Sequence, residues 1–197
     1  MDNTKYDSPE YMAKCEDTIR RNFEGYAKNI RDKVTLKRLN TIKKFIQIQQ
    51  PQTDKNINRI LSVGSGGFEP KFIGANFACD VSCLSHKLLD SIDWKGVFIC
   101  CPCDRIPYPP QYFDVVYCTE VIEHLPALDD VRRAIEEVAR VGKFWLFTTP
   151  NKDVHEPTHN FIFSKKDLIK LTEGIPCHIE EQGIFFYIHN GKKELFN

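Results

Sequence analysis

The 197-residue chain has no net charge: 27 Lys and Arg stand against 27 Asp and Glu. That balance argues against attachment to nucleic acid or membrane by charge alone. No apolar run approaches the roughly 20 residues that span a bilayer, and the N-terminus is polar and charged, unlike a secretory leader. Eight cysteines without a secretory pattern lead to the expectation of a cytoplasmic chain with reduced thiols. Cys100, Cys101 and Cys103 form a cluster that Cys79, Cys83 and Cys118 could join. Structural zinc sites use two well-spaced C-x-x-C pairs, and that spacing is absent. These cysteines therefore read as small apolar residues at strand ends. There is no internal repeat, low-complexity tract or long linker.

Length and an apolar content of 42% suit one α/β domain with a modest N-terminal addition. The expected organisation is a helical extension over 1–57 and one compact unit over 58–197. Charge is uneven between them, with the basic excess in Arg31, Lys33, Lys37, Arg38, Lys43 and Lys44. A solvated helix face and a phosphate contact both account for such a run. Residues 8–50 read as two helices, the second with Val34, Leu36, Leu39, Ile42, Phe45 and Ile46 at helical spacing. From residue 58, apolar strands (59–63, 75–80, 96–101, 113–118, 143–149) alternate with helices (82–92, 127–140, 164–173). That alternation is the pattern of βαβ units on a parallel sheet. Ser164 and Asp167 make a capping-box start for the last helix. Asn190-Gly191 signals a hairpin between Phe185–His189 and Lys192–Phe196.

The most informative run is Phe113-Asp114-Val115-Val116-Tyr117-Cys118-Thr119-Glu120-Val121-Ile122-Glu123-His124-Leu125. A buried strand there ends in two acids and an imidazole, at the end of a parallel sheet where ligands bind. A helix starting at Glu120 would put Glu120 and Glu123 on one face. His124 is the side chain most readily tuned for proton transfer near neutrality.

This run resembles the fourth strand of class I S-adenosylmethionine (SAM) methyltransferases. Four further segments are similar to that family, in the family's order: Ile60-Leu61-Ser62-Val63-Gly64-Ser65-Gly66-Gly67, Ala78-Cys79-Asp80-Val81-Ser82, Ile106-Pro107-Tyr108-Pro109 and Thr148-Thr149-Pro150-Asn151. The resemblance covers roughly residues 58–172. It implies an α/β, Rossmann-like, seven-stranded, mainly parallel sheet with an antiparallel final strand and helices on both faces. N-terminal helices in this place commonly cover the SAM pocket; a packing helix closing a sheet edge is the other reading. SAM is the implied cofactor, held by Gly64, Ser65 and Gly66 at the loop, with Ile106 and Thr119 along the cleft. The family's acid before the first glycine is Ser62 here, and its third glycine is Phe68. Asp80 is implied to accept the ribose hydroxyls, with a helix N-cap as the alternative. The position that contacts adenine is Pro102, so Asp104 or backbone near Cys103 takes that role.

For the acidic cluster three readings stay open. Glu123 caps a helix N-terminus while Glu120 and His124 shape the pocket. Alternatively His124 is the general base, with Glu120 and His159 beside it. In the third, no metal being the first expectation, Glu120, Glu123, His124 and His159 hold a divalent ion, an order similar to the RNA 3′-terminal 2′-O-methyltransferases of small-RNA pathways. His86, His178 and His189 read as structural. The expected reaction is O-methylation of a small metabolite or sugar hydroxyl, with a small-molecule acceptor and no membrane. A small-RNA 2′-O-methyltransferase and a non-catalytic interaction module are the alternatives.

Overall fold

The computed structural model describes residues 8–25, 32–49, 59–191 and 196. Two helices come first, α1 (Pro9–Glu24) and α2 (Lys33–Gln49). Ser8 caps α1, its side chain accepting from the Tyr11 amide with Pro9 at the first helical position. In α2 the residues Leu39, Ile42, Phe45 and Ile46 are buried as their spacing demands, while Val34 is exposed.

The sheet follows: β1 (Ile60–Val63), α3 (Glu69–Ile73), β2 (Phe77–Asp80), α4 (Leu84–Ser91), β3 (Val97–Cys100), β4 (Phe113–Thr119), α5 (Leu128–Val141), β5 (Gly142–Pro150), α6 (Lys165–Leu171), β6 (His178–Gln182) and β7 (Phe185–His189). The strand order is β3-β2-β1-β4-β5-β7-β6. The first five strands run parallel and β7 lies antiparallel to both β5 and β6. The chain winds outward in both directions from the β1–β4 pair, and a ligand crevice forms beyond the carboxyl ends at such a switch point. β4 is central, so a run of Phe, Val, Tyr, Cys and Thr is buried along nearly its whole length.

Two apolar layers sandwich the sheet. On one face Val131, Ala134, Ile135, Val138 and Val141 of α5, recurring at helical spacing, pack on Val116, Cys118 and Phe147. On the other, Leu39, Ile42 and Phe45 of α2 pack on Val115, Tyr117 and Leu146. The last helix has the expected capping box, Ser164 and Asp167 bonding reciprocally. Among the described residues, no helix is long and apolar enough to cross a membrane.

Three expectations are corrected here. Asn190-Gly191 does not turn a hairpin after β7, because both edges of β7 are already paired. The hairpin lies before it, turning at Gly183 with φ 65°, while Asn190 bonds across to the Trp145 amide and the Lys143 carbonyl at 2.8 and 3.0 Å. Residues 192–195 lie outside the described residues. No helix starts at Glu120: only a single 3₁₀ turn, Ile122–His124, follows β4. Finally, Cys83 and Cys100 are joined in a disulfide from the start of α4 to the end of β3, so not all thiols are reduced.

Candidate active site

Each parallel strand delivers one piece of a cleft at its carboxyl end. β1 opens into Gly64-Ser65-Gly66, whose glycines take left-handed backbone with φ 65° and 54°. The amides of Gly64 and Ser65 both donate to the Cys79 carbonyl of β2, at 2.9 and 3.2 Å, which ties the loop to its neighbour strand. A side chain on Gly64 would overlap Val121, whereas Gly66 faces open space. Asp80, the last residue of β2, is 7% exposed. Its carboxylate accepts from Ser85 Oγ at 3.0 Å and from the amides of Ser82 and Gly66 at 3.2 and 3.4 Å. Burial pushes its carboxyl up despite those donors.

Beyond β3 the wall is Cys101, Pro102 and Cys103. It is braced from α5: the Ile106 amide donates to Glu137 at 2.6 Å, and Arg140 donates to the carbonyls of Tyr108 and Ile106 at 2.8 and 3.1 Å. α1 lies across the front, adding Tyr11, Cys15 and Ile19. The cleft is partly open and holds about 110 Å³. α1 is latched there by Ser82 Oγ to Glu16 (3.0 Å), Lys14 to Asn160 (2.9 Å) and Arg21 to Glu156 (3.0 Å).

At the end of β4 the backbone turns through Glu120 with φ 55°, a conformation non-glycine residues rarely hold and one that concentrates at functional sites. The turn aims Glu120 at Thr148, whose hydroxyl donates at 2.8 Å. Burial raises the Glu120 carboxyl, with Arg38 opposing. Glu123 is fully buried; Thr149 donates to Oε2 at 3.1 Å, and Oε1 has no partner. Burial, reinforced by Glu120, holds its carboxyl well above the usual range.

His124 Nδ1 lies 3.1 Å from the Thr158 carbonyl. A carbonyl only accepts, so Nδ1 carries the proton and Nε2 keeps its lone pair. Burial and neighbouring His159 push this imidazole down to about 4. Burial also lowers His159, whose Nε2 stands 4.0 Å from Glu123 Oε1. Ligand atoms of Glu123, His124 and His159 lie within 4.8 Å of one another.

Asn160 is the residue that sequence reasoning passed over. Its amide donates to the Glu123 carbonyl at 2.8 Å and its side chain to the carbonyls of His124 and Leu125 at 2.9 and 3.0 Å. It clamps the loop after β5 over the 3₁₀ turn and thereby brings His159 to His124. Its place directly after His159 is the signal the sequence offers for it.

The cleft therefore gathers Gly64, Gly66, Asp80, Glu120 and His124; Ser65, Thr119 and His159 line the adjoining cavity, which shares Gly64, Gly66, Glu120 and His124. It does not gather Asp104 or Ile106. Asp104 turns to Arg105 and Arg133, each at 3.5 Å, and Ile106 is buried in the core. The wall on that side is lined by Cys101, Pro102 and Cys103. Of the four candidate metal ligands, Glu120 stands apart from the other three. Arg38, assigned with its neighbours to a solvated face or a phosphate contact, is buried against Glu69.

A general methyltransferase-domain model matches residues 61–144. The ubiquinone biosynthesis O-methyltransferase of Pseudoalteromonas translucida is 35% identical over 69 residues, which are 35% of this chain and 29% of that protein. The chain thus spans less than a third of the curated relative it matches. A SAM-dependent methyltransferase of Thermotoga maritima, described as a possible histamine N-methyltransferase, superposes with TM-score 0.61 at 14% identity, covering 90% of this chain and 99% of that one. The magnesium protoporphyrin IX methyltransferase of Synechocystis, solved with bound SAM, gives 0.61 at 10% identity, over 93% and 98%. Residues 61–144 thus match a methyltransferase-domain model, and the chain shares the fold of SAM-dependent methyltransferases.

The residues of the cleft fit SAM as a cofactor. Gly66 leaves the space a side chain would fill, and Asp80 presents a carboxylate beside it. Ser62 stands where the domain usually has an acid; it is buried beneath the loop. Glu69 supplies a carboxylate nearby, accepting from the Thr119 hydroxyl and pairing with Arg38 at 2.7 Å.

Proposed function

We propose that the chain is an active SAM-dependent methyltransferase acting on a hydroxyl of a small metabolite or sugar. The observation that carries this reading is His124: its Nδ1 lies against the Thr158 carbonyl, which leaves Nε2 as the acceptor, and the residue lines the cleft together with Gly64 and Gly66. Gly64, Ser65, Gly66 and Asp80 would hold the cofactor, which supplies an activated methyl group. His124 Nε2 takes the proton of the acceptor hydroxyl as its oxygen gains the methyl. Thr158 keeps the imidazole in the tautomer that can accept. The loop from Asn151 to Phe163 and helix α1 keep water from the acceptor. Positioning supplies much of the rate in such transfers, because the leaving group is already activated.

The test is twofold. Isothermal titration with S-adenosylhomocysteine should give saturable binding, and a panel of phenols, catechols and sugars offered with labelled SAM should yield at least one methyl ether. Failure to bind either cofactor form at millimolar concentration would sink the enzyme reading in favour of an interaction module on this fold.

One observation favours a second reading, a divalent ion at Glu123, His124 and His159 in a 2′-O-methyltransferase for RNA ends. The unpartnered Glu123 Oε1 and two neutral imidazoles converge within 4.8 Å. Two nitrogens and an oxygen suit Mn²⁺ or Co²⁺ better than Mg²⁺. Against it, Glu120 points to Thr148, and Lys14 and Arg21 of α1 are engaged with Asn160 and Glu156. RNA binding calls for basic groups turned to phosphates.

A further inference from the structure

Cys83 and Cys100 frame Asp80, the carboxylate that the cofactor reading gives to the ribose. In the β2–β3 register Cys100 stands opposite Asp80, and Cys83 follows Asp80 by three residues, at the start of α4. Their disulfide therefore closes across the turn that leaves β2. Ser82, inside that turn, donates its amide to the Asp80 carboxylate at 3.2 Å. Its hydroxyl accepts from the Leu84 amide at 3.1 Å and donates to Glu16 of α1 at 3.0 Å. Ser85 Oγ donates to Asp80 at 3.0 Å, and the Cys101 amide donates to the Asp80 carbonyl at 2.9 Å. Each of these contacts comes from a residue within two positions of a bridged cysteine. β3 is an edge strand, paired with β2 alone. The Cys83 side chain caps no amide of α4; what it gives that helix end is a covalent tie to β3.

Both bridged cysteines are exposed, so a reductant can reach them. The other six cysteines are free, so this fold is not held together by disulfides as small secreted scaffolds are. Burial pushes the thiols of Cys103 and Cys118 up, and a hydrogen bond with Cys101, together with burial, does the same at Cys79. Only a thiolate attacks a disulfide, so these neighbours leave the bridge intact. We propose that Cys83 and Cys100 form a redox site that sets cofactor affinity and is opened by a dithiol reductant. A thiolate of the reductant attacks one bridge sulfur and expels the other as a thiolate; the second thiol of the reductant gives up its proton and displaces the first. The Cys83–Cys100 bond breaks, an S–S bond forms in the reductant, and two electrons and two protons pass to the cysteines. With the bridge open, Ser82 and Ser85 hold Asp80 less firmly and the ribose contact weakens. The inference rests on the cofactor reading of the cleft and on the place of Asp80 in it.

The experiment titrates S-adenosylhomocysteine calorimetrically into the bridged chain, the chain treated with dithiothreitol, and the chain reoxidised with oxidised glutathione. Alkylation and mass measurement count the free thiols in each. The variants are Cys83→Ser with Cys100→Ser, and Asp80→Asn. Dithiothreitol should free two further thiols in the folded chain and weaken binding about tenfold, the scale of one lost hydrogen bond. Reoxidation should restore both values. The double serine variant should bind like the reduced chain and ignore dithiothreitol. In Asp80→Asn, opening the bridge should change affinity by less than about threefold, because the group it acts through is gone. If the serine variant fails to fold, the dithiothreitol and Asp80→Asn arms decide alone. Four results overturn the redox site and leave the cofactor reading standing: an opened bridge with unchanged affinity, a bridge that dithiothreitol cannot open in the folded chain, eight free thiols before reduction, or a serine variant that still responds. A loss in Asp80→Asn equal to that in wild type also overturns it, since the bridge then acts on the fold alone. Binding in neither redox state overturns the cofactor reading and the redox control with it.

Discussion

The imidazole rings of His124 and His159 meet edge to face, with centroids 4.7 Å apart and planes inclined at 74°. Two bases this close cannot both be charged without repulsion, and both are lowered by burial. The pair is therefore neutral at physiological pH, and the acceptor side of the cleft presents lone pairs.

This sets the pH dependence of turnover. Only neutral His124 accepts a proton, and its imidazole is pushed down to about 4. Activity should stay flat as pH falls through 6.5 and drop only towards 4, where the reactive form is lost. His124→Ala should cut turnover by about a hundredfold to ten-thousandfold, remove that acid limb, and leave S-adenosylhomocysteine affinity within about threefold. A limb near the unperturbed histidine value of about 6.5 would show that the ring is solvated during turnover.

The metal question has a direct answer in solution. For a hydroxyl acceptor activated by His124, turnover persists after dialysis against a chelator, and Glu123→Gln changes it by less than about tenfold. For the metal reading, chelation abolishes turnover, Mn²⁺ or Co²⁺ restores it, and Glu123→Gln or His159→Ala weakens the metal. Turnover measured across a Mn²⁺ titration of the dialysed protein separates the two.

At Asp80 the prediction concerns the cofactor's ribose. Asp80→Asn keeps the shape but loses the charge, so S-adenosylhomocysteine should bind roughly tenfold to a hundredfold more weakly. Adenine, which has no ribose, should bind both proteins equally. An equal loss for adenine would mean that Asp80 supports only the loop, through Gly66 and Ser82.

Legibility in the sequence followed the range of the interactions. The β1 and β4 segments carry their apolar runs locally, so strands, order and glycine loop could all be placed. Ser164 and Asp167 interact three residues apart, and their box was visible for the same reason. Arg38 was not readable, because its partner Glu69 lies 31 residues away and a basic run looks solvated until its neighbour is known. The contact of Asp104 with Arg133, 29 residues on, was out of reach of local spacing for the same reason. The disulfide depends on β2–β3 register, which no spacing of Cys83 and Cys100 announces. Asn190-Gly191 misled because β6, His178-Ile179-Glu180-Glu181-Gln182, lacks the apolar alternation that marks a strand. Glu120 was assigned to a helix on the i, i+3 spacing, yet its left-handed backbone ends the strand first.

Asn160 offers the sharpest separation of architecture from chemistry. Its side chain ties the carbonyls of His124 and Leu125 to the loop after β5 and also accepts from Lys14 of α1. It touches neither the proposed proton path nor the cofactor loop. Asn160→Ala leaves two carbonyls and one ammonium to find water, costing about 1–3 kcal/mol. For a chain of this size that lowers the melting temperature by roughly 2–4 °C per kcal/mol. Freed from its clamp, the loop no longer holds His159 against His124 or Thr158 against Nδ1. Turnover should fall at least tenfold while S-adenosylhomocysteine affinity changes by less than about threefold. Asn160→Asp, which keeps the acceptor for Lys14 but not the two donations, should behave like the alanine variant in turnover. Calorimetric melting beside titration and steady-state kinetics checks all three. A variant that melts lower but turns over normally would show that His124 holds its orientation without the loop.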